Sequence, residues 1–402
     1  MCNTSDYKTV LFTGYYFDCF SGSMMHICEL GEYYRQIGYD VYIATVYITD
    51  KVEEYVRKLG LNIYVVNQLP TDIKYDIVWG YHFPILPYLI NRGLKFDKVV
   101  TGCLSGFLTP METPQEISLK YNIPIFVNSE ETKTNLIKKF PQLQNRIYKL
   151  LNVVPEKFYQ LKKQHLEDEV HNIAIVSNHI PEELKNIIPP FELMNIKVDC
   201  YGGIDNNPIT PEILEKYDVV ITIGKTVQYA LVMGIPVYNY DIYGGSGYIS
   251  LENIDKEEFY NFSGRSHCRK LNYDDIICEI IGYYKKIKSQ TSELQKIACN
   301  RYLIPQVMEN ILPIINSYTS CLFDVKDSLY TIQNSLLLNE ILYNRNNIQE
   351  MILTPAPTVE PIISKKQNIF CKIFSCKNEY YEDTKHKVLT LLGIKIKFKI
   401  QA

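Results

Sequence analysis

Between Tyr217 and Gly247 the chain reads YDVVITIGKTVQYALVMGIPVYNYDIYGGSG, and no other stretch restricts the fold as much. Val219–Ile223 is a short apolar run flanked by turn residues, the pattern of a strand buried on both faces. Gly224 ends it. Thr226 is expected to cap a helix over Val227–Met233, its hydroxyl accepting from an orphan amide of the first turn. Gly234 and Pro236 close that helix, Pro236–Tyr240 reads as a second buried strand, and a glycine-rich loop follows with Gly244, Gly245 and Gly247. Such a unit presents a helix N-terminus at the carboxyl edge of a parallel sheet, which suits a phosphate or an anionic sugar.

Gly224-Lys225-Thr226 invites a P-loop reading. That motif needs a glycine five positions before the Gly-Lys pair, and Val219 stands there. The preceding residues form a strand, so they cannot build the amide cradle. An ordinary βαβ crossover, its glycines serving packing alone, is the other reading of this stretch.

The first half has the same rhythm. Thr9–Thr13 is a strand run ending at Gly14, followed by a loop rich in glycine and aromatics, Tyr15–Gly22, and a helix from about Ser23 to Ile37. Val41–Thr45, Asn62–Val66, Asp76–Trp79, Lys98–Thr101 and Ile123–Asn128 are further short apolar runs. They alternate with helical or loop segments, as in a doubly wound parallel sheet. Asn172–Ser177 and Val198–Tyr201 open a second series that Val219–Ile223 and Pro236–Tyr240 continue. Tyr273–Ile287 and Glu293–Ile315 have helical apolar spacing, as does Asp324–Met351. Thr354–Pro361, with three prolines, reads as a linker.

At 402 residues the chain exceeds what one core supports, so two domains and a tail are expected. With 42 basic against 45 acidic residues, no global charge points to nucleic acid. Eleven cysteines without metal-type spacing read as reduced thiols, mostly buried as small hydrophobes. No apolar run of membrane-spanning length is present. The expected location is therefore cytoplasmic, or peripheral on the inner face of the cytoplasmic membrane. The latter rests on Gly393–Ile400, which alternates isoleucine and phenylalanine with Lys395, Lys397 and Lys399. That strand pattern suits an anionic lipid surface, a partner's sheet edge, or pairing with Phe370–Phe374.

TIGKTVQYALVMGIPVYNYD, followed by GGSGY and NFSGR, resembles the donor half of GT-B glycosyltransferases, closest to bacterial enzymes of capsule, lipopolysaccharide and other surface glycans. Gly224, Ala230, Gly234, Pro236 and Val237 match the family segment that holds the nucleotide-sugar, and GSMMHICELGEYYRQIGYDVYIAT resembles the family's opening. The resemblance implies an α/β fold of two facing doubly wound, Rossmann-like domains, 1–158 on the acceptor side and 159–318 on the donor side. Residues 319–402 would add a helical extension, the linker and a basic tail. The implied partners are a nucleotide-sugar donor, as co-substrate with no other cofactor and no metal, and a growing glycan or lipid-linked acceptor.

By the same resemblance, Gly22 and Ser23 lie in the cleft. Tyr229 stands where an acid usually holds the ribose, with Gln228 or Asp241 as substitutes. Ser177-Asn178-His179 lacks the usual diphosphate-gripping cations, leaving Lys225 and Arg265, and replacing either by methionine is expected to weaken donor binding without lowering stability. His82, just past a strand end, is the residue that touches the donor sugar, or else an inert loop histidine. Glu112 is the acidic candidate for base or acceptor contact, with a solvated loop carboxylate as the alternative. A nucleotide-sugar epimerase and a silent scaffold of a glycan-assembly complex are the competing functions. The epimerase lacks an evident set of proton-transfer groups.

Overall fold

The computed structural model describes residues 8–318 apart from 84, 108–111, 113–117, 119–120 and 204–206, together with the backbone of three strands between 374 and 399. The Asp324–Met351 helix and the Thr354–Pro361 linker expected from the sequence lie outside the described residues.

The first half forms one seven-stranded parallel sheet. Its strands are β1 (Lys8–Phe17), β2 (Tyr39–Ile48), β3 (Asn62–Val65), β4 (Lys74–Gly80), β5 (Lys95–Cys103), β6 (Ile125–Val127) and β7 (Ile147–Lys149), in the order β3-β2-β1-β4-β5-β6-β7. β1 does not stop at Gly14. It runs on to Phe17 in register with β2 as far as Ile48, because Gly14 leaves the room that the Phe17 ring fills. β7 is too short and mixed to stand out in the sequence. The helix Gly22–Gln36 is capped by Ser21, whose hydroxyl accepts from the Met24 amide, and it lays Met24, Ile27 and Tyr34 on the sheet. Trp79 is fully buried there, stacked on Phe12 and donating to the Tyr34 hydroxyl at 3.2 Å.

The second sheet comprises β8 (Asn172–Val176), β9 (Lys197–Tyr201), β10 (Val219–Thr222), β11 (Val237–Asp241) and β12 (Gly244–Tyr248), in the order β12-β11-β10-β8-β9. All pairs are parallel except β11 with β12. The expected glycine-rich loop is therefore a strand. Gly244, Gly245 and Gly247 are needed for close backbone approach: a Cβ on Gly244 would overlap the Arg269 carbonyl, and one on Gly245 the Asn239 carbonyl. Gly244 and Gly247 also hold φ near +77° and +78°, where only glycine is unstrained.

Two long helices finish this part. The chain stays helical from Tyr273 to Tyr302, since Ser289–Ser292 offers neither glycine nor proline to stop it, and leaves the helix only at Leu303. Leu303 bridges to Val154; the Val154 amide donates to the Tyr302 carbonyl at 2.8 Å and the Ile304 amide to the Val154 carbonyl at 3.0 Å. Before this crossing, Leu294, Ala298 and Tyr302 belong to the core around β10 and β11. After it, Ile304, Met308, Ile311 and Ile315 of the helix Ile304–Ser317 complete the core of the first sheet.

A separate compact unit holds β13 (Phe374–Tyr381), β14 (Thr384–Leu391) and β15 (Ile394–Lys399), an antiparallel sheet in that order. The lysine-bearing strand thus pairs with β14.

Candidate functional site

In the first sheet strand order reverses at β1 and β4, in the second at β8 and β10, and at such points the carboxyl-end loops diverge and leave a crevice. A cleft of about 270 Å³ lies against the second of these crevices. Its walls are Phe20, Gly22 and Met25 from the first half, and Ser177, Asn178, His179, Gly202, Thr222, Thr226 and Asp241 from the second. Lys225 and Tyr229 line it as well.

The floor is held by a short polar chain. Ser177 donates its hydroxyl to Asp241 Oδ2 at 2.9 Å and accepts the His179 amide at 2.9 Å, while Asp241 Oδ1 accepts the Ile242 amide at 2.7 Å. Burial raises the Asp241 carboxyl above its ordinary value, and these bonds oppose the shift. Gly202 meets the same floor with φ near +129°, its Cα against the Ser177 carbonyl, so a Cβ there would overlap that oxygen. Sequence reasoning noticed the Ser177–His179 exit only for the cations it lacks.

The helix following β10 is Lys225–Met233, starting one residue before the expected Thr226 cap. Gly224 takes the capping position at φ +63°, and Thr226 makes no capping bond. This turn brings Lys225 under the first half. Its ammonium is 2.5 Å from Glu29 Oε2 and donates to the Val153 carbonyl at 2.9 Å. Tyr229, the residue in the ribose-acid position, donates its hydroxyl to the other Glu29 oxygen and stacks on Phe158 at 4.2 Å between ring centroids. Both partners of the ion pair are buried, Glu29 at 3 % and Lys225 at 8 % exposure. Burial pushes the Glu29 carboxyl up and the Lys225 ammonium down, and their mutual attraction opposes both shifts. Glu29 was missed in the sequence, where it sits unmarked within an amphipathic helix.

Arg265 is likewise bridged to the first half. It pairs with Glu131 and lies over the Phe107 ring at 4.7 Å. Gln228 is buried, 3.5 Å from the Asn152 amide. Ser23 lies on the entry turn 3.2 Å from the Ser21 hydroxyl. The cleft thus gathers Gly22, Lys225, Thr226, Tyr229 and Asp241, while Ser23, His82, Glu112, Gly244, Gly245, Gly247, Gln228 and Arg265 stand outside its lining.

His82 and Glu112 come together at the exits of β4 and β5. His82 Nδ1 accepts the Tyr15 amide at 3.0 Å, so the neutral ring carries its proton on Nε2, which faces Glu112 Oε1 at 3.5 Å. Glu112 Oε2 accepts the Leu104 amide at 2.8 Å. His82 occupies the left-handed region, φ +53°, a conformation uncommon for a residue with a side chain and held here by both ring contacts. Among the described residues no cluster of histidine, cysteine and acidic side chains is placed to hold a metal, and no helix is long and apolar enough to cross a membrane.

No protein-family model matches the chain, and no curated protein sequence matches it. Solved structures do. A mutant of S. aureus TarM in complex with fondaparinux, α-GlcNAc-glycerol and UDP matches 77% of this chain and 100% of its own, at 11% identity and TM-score 0.50. A glycosyltransferase from Rickettsia africae matches 77% of this chain and 98% of its own, at 14% identity and TM-score 0.49. The lipopolysaccharide outer core galactosyltransferase WaaB matches at 12% identity, 77% and 99% coverage and TM-score 0.46. Two doubly wound sheets, a cleft against a switch point of the second, and a last helix returning to the first core give this chain the GT-B fold.

Proposed function

We propose that this protein is a glycosyltransferase that takes a sugar from a nucleotide-sugar held in the cleft and passes it to a glycan or lipid-linked acceptor. The carrying observation is the cleft itself. Walls from both halves meet at the helix N-terminus of Lys225–Met233, beside backbone and hydroxyl groups of Ser177, Thr222 and Thr226 suited to phosphate and ribose oxygens. In this reading Asp241 and Ser177 take sugar or ribose hydroxyls. Glu112, fixed by the Leu104 amide and facing His82, is the proton acceptor on the first half's side. A bacterial surface glycan as the acceptor is drawn from the sequence resemblance.

Thermal denaturation against a panel of nucleoside diphosphates and nucleotide-sugars tests the assignment. A ligand at one hundred times its Kd adds about 2.7 kcal/mol of stability, so one member of the panel is expected to raise Tm clearly. A panel that leaves Tm unmoved throughout rejects the assignment.

The lysine-bearing strand β15 is proposed to hold the enzyme at an anionic membrane surface, where each lysine contributes about 1 kcal/mol. Replacing Lys395, Lys397 and Lys399 together by glutamine is then expected to weaken sedimentation with phosphatidylserine-containing vesicles by about a hundredfold. Unchanged sedimentation excludes this role.

A further inference from the structure

We propose that Glu29 is an internal counter-anion that occupies Lys225 in the unliganded protein and that the diphosphate of the nucleotide ligand displaces. This rests on the reading of the cleft as a nucleotide-sugar site. Among the described residues lining the cleft, Lys225 is the one lysine or arginine, and Asp241 already places a carboxylate in the wall. A diphosphate brought into this space needs that ammonium. The ammonium, however, is held by a carboxylate of the opposite half, Glu29, which stands outside that lining.

Glu29 and the ligand therefore compete for one cation. Glu29 holds a strong position, since Tyr229 also donates to it and burial excludes water from the contact. The arrangement is nevertheless reversible. The carboxylate belongs to the helix Gly22–Gln36 and the ammonium to the helix Lys225–Met233, so the pair joins two elements with separate cores and parts when those elements move. Glu29 also lines a second, polar cleft, with Glu32, Tyr33, Gln36 and Lys157. A carboxylate released from Lys225 has polar space beside it. The contact thus lowers the affinity of the resting protein for nucleotide and ties ligand entry to a change at the interface.

Calorimetric titration of the full chain with UDP, ADP and GDP tests this. Whichever diphosphate binds the parent protein is expected to bind Glu29→Gln about tenfold more tightly, and Lys225→Met at least tenfold more weakly. The double variant should match Lys225→Met, because the carboxylate acts only through the lysine. Glu29→Asp, whose shorter side chain draws the carboxylate back while keeping its charge, is expected to tighten binding in the same direction and decides the matter if Glu29→Gln does not fold. Binding that is unchanged or weaker in both Glu29 variants overturns the inference while leaving the nucleotide site in place. Failure of the parent protein to bind any nucleoside diphosphate rejects the site itself.

Discussion

Lys225→Met is expected to lower the stability of the protein by roughly 3–5 kcal/mol, because it leaves the buried Glu29 without its cation. In a thermal melt this is a fall of at least about 5 °C. The sequence alone leads to the opposite expectation, that a lysine at a strand exit faces the ligand and can be removed without cost to the fold. Burial of the pair reverses it. Glu29→Gln combined with Lys225→Met removes both charges and is expected to recover a large part of the loss, so the two single effects will not add. A Lys225→Met protein that melts with the parent would show that the ammonium is not held as described.

Gly202→Ala is the second large effect. The position requires φ near +129°, outside any region an alanine adopts easily, and the new methyl would overlap the Ser177 carbonyl at the cleft floor. The expected loss is about 4 kcal/mol or more. The neighbouring Gly203 makes the control. It also has a positive φ, near +90°, but open space where a Cβ would stand, so Gly203→Ala should cost only about 1–2 kcal/mol. Urea denaturation of the two variants separates overlap from backbone strain. Equal losses would mean that the Ser177 carbonyl yields.

Much of this architecture was legible in the sequence because glycine and proline punctuate short apolar runs at nearly every turn between β1 and β11. Where it was not, the reasons are local. Gly244-Gly245-Ser246-Gly247 looked like a loop, since glycine ordinarily weakens strands; here β12 tolerates it because Arg269 and Asn239 backbone atoms press against the positions where side chains would begin. Thr226 looked like a helix cap, but Gly224 reaches a positive φ that lets the helix begin earlier. The site was legible only in part. Gly22, Thr226 and Asp241 line the cleft, whereas the approach of His82 to Glu112 was not read from the sequence. The partners of Lys225 and Arg265 were not, because Glu29 and Glu131 lie far away in the chain and no periodicity reports which helix face meets the other half.

The adjacent crossings at Val154 and Leu303 make the second half an insert. The polypeptide leaves the first core at one point, builds the β8–β12 sheet and the long helix, and returns beside the point of departure to finish the core it left. A segment whose two ends lie side by side can be removed, or its own ends joined, with little strain on what remains. The first half is by this measure a single body in two pieces, 8–154 and 304–318, and its last piece comes only after the insert. During synthesis the first sheet must therefore wait for Ile304, Met308 and Ile311 to emerge, so the second half completes its core before the half that begins the chain.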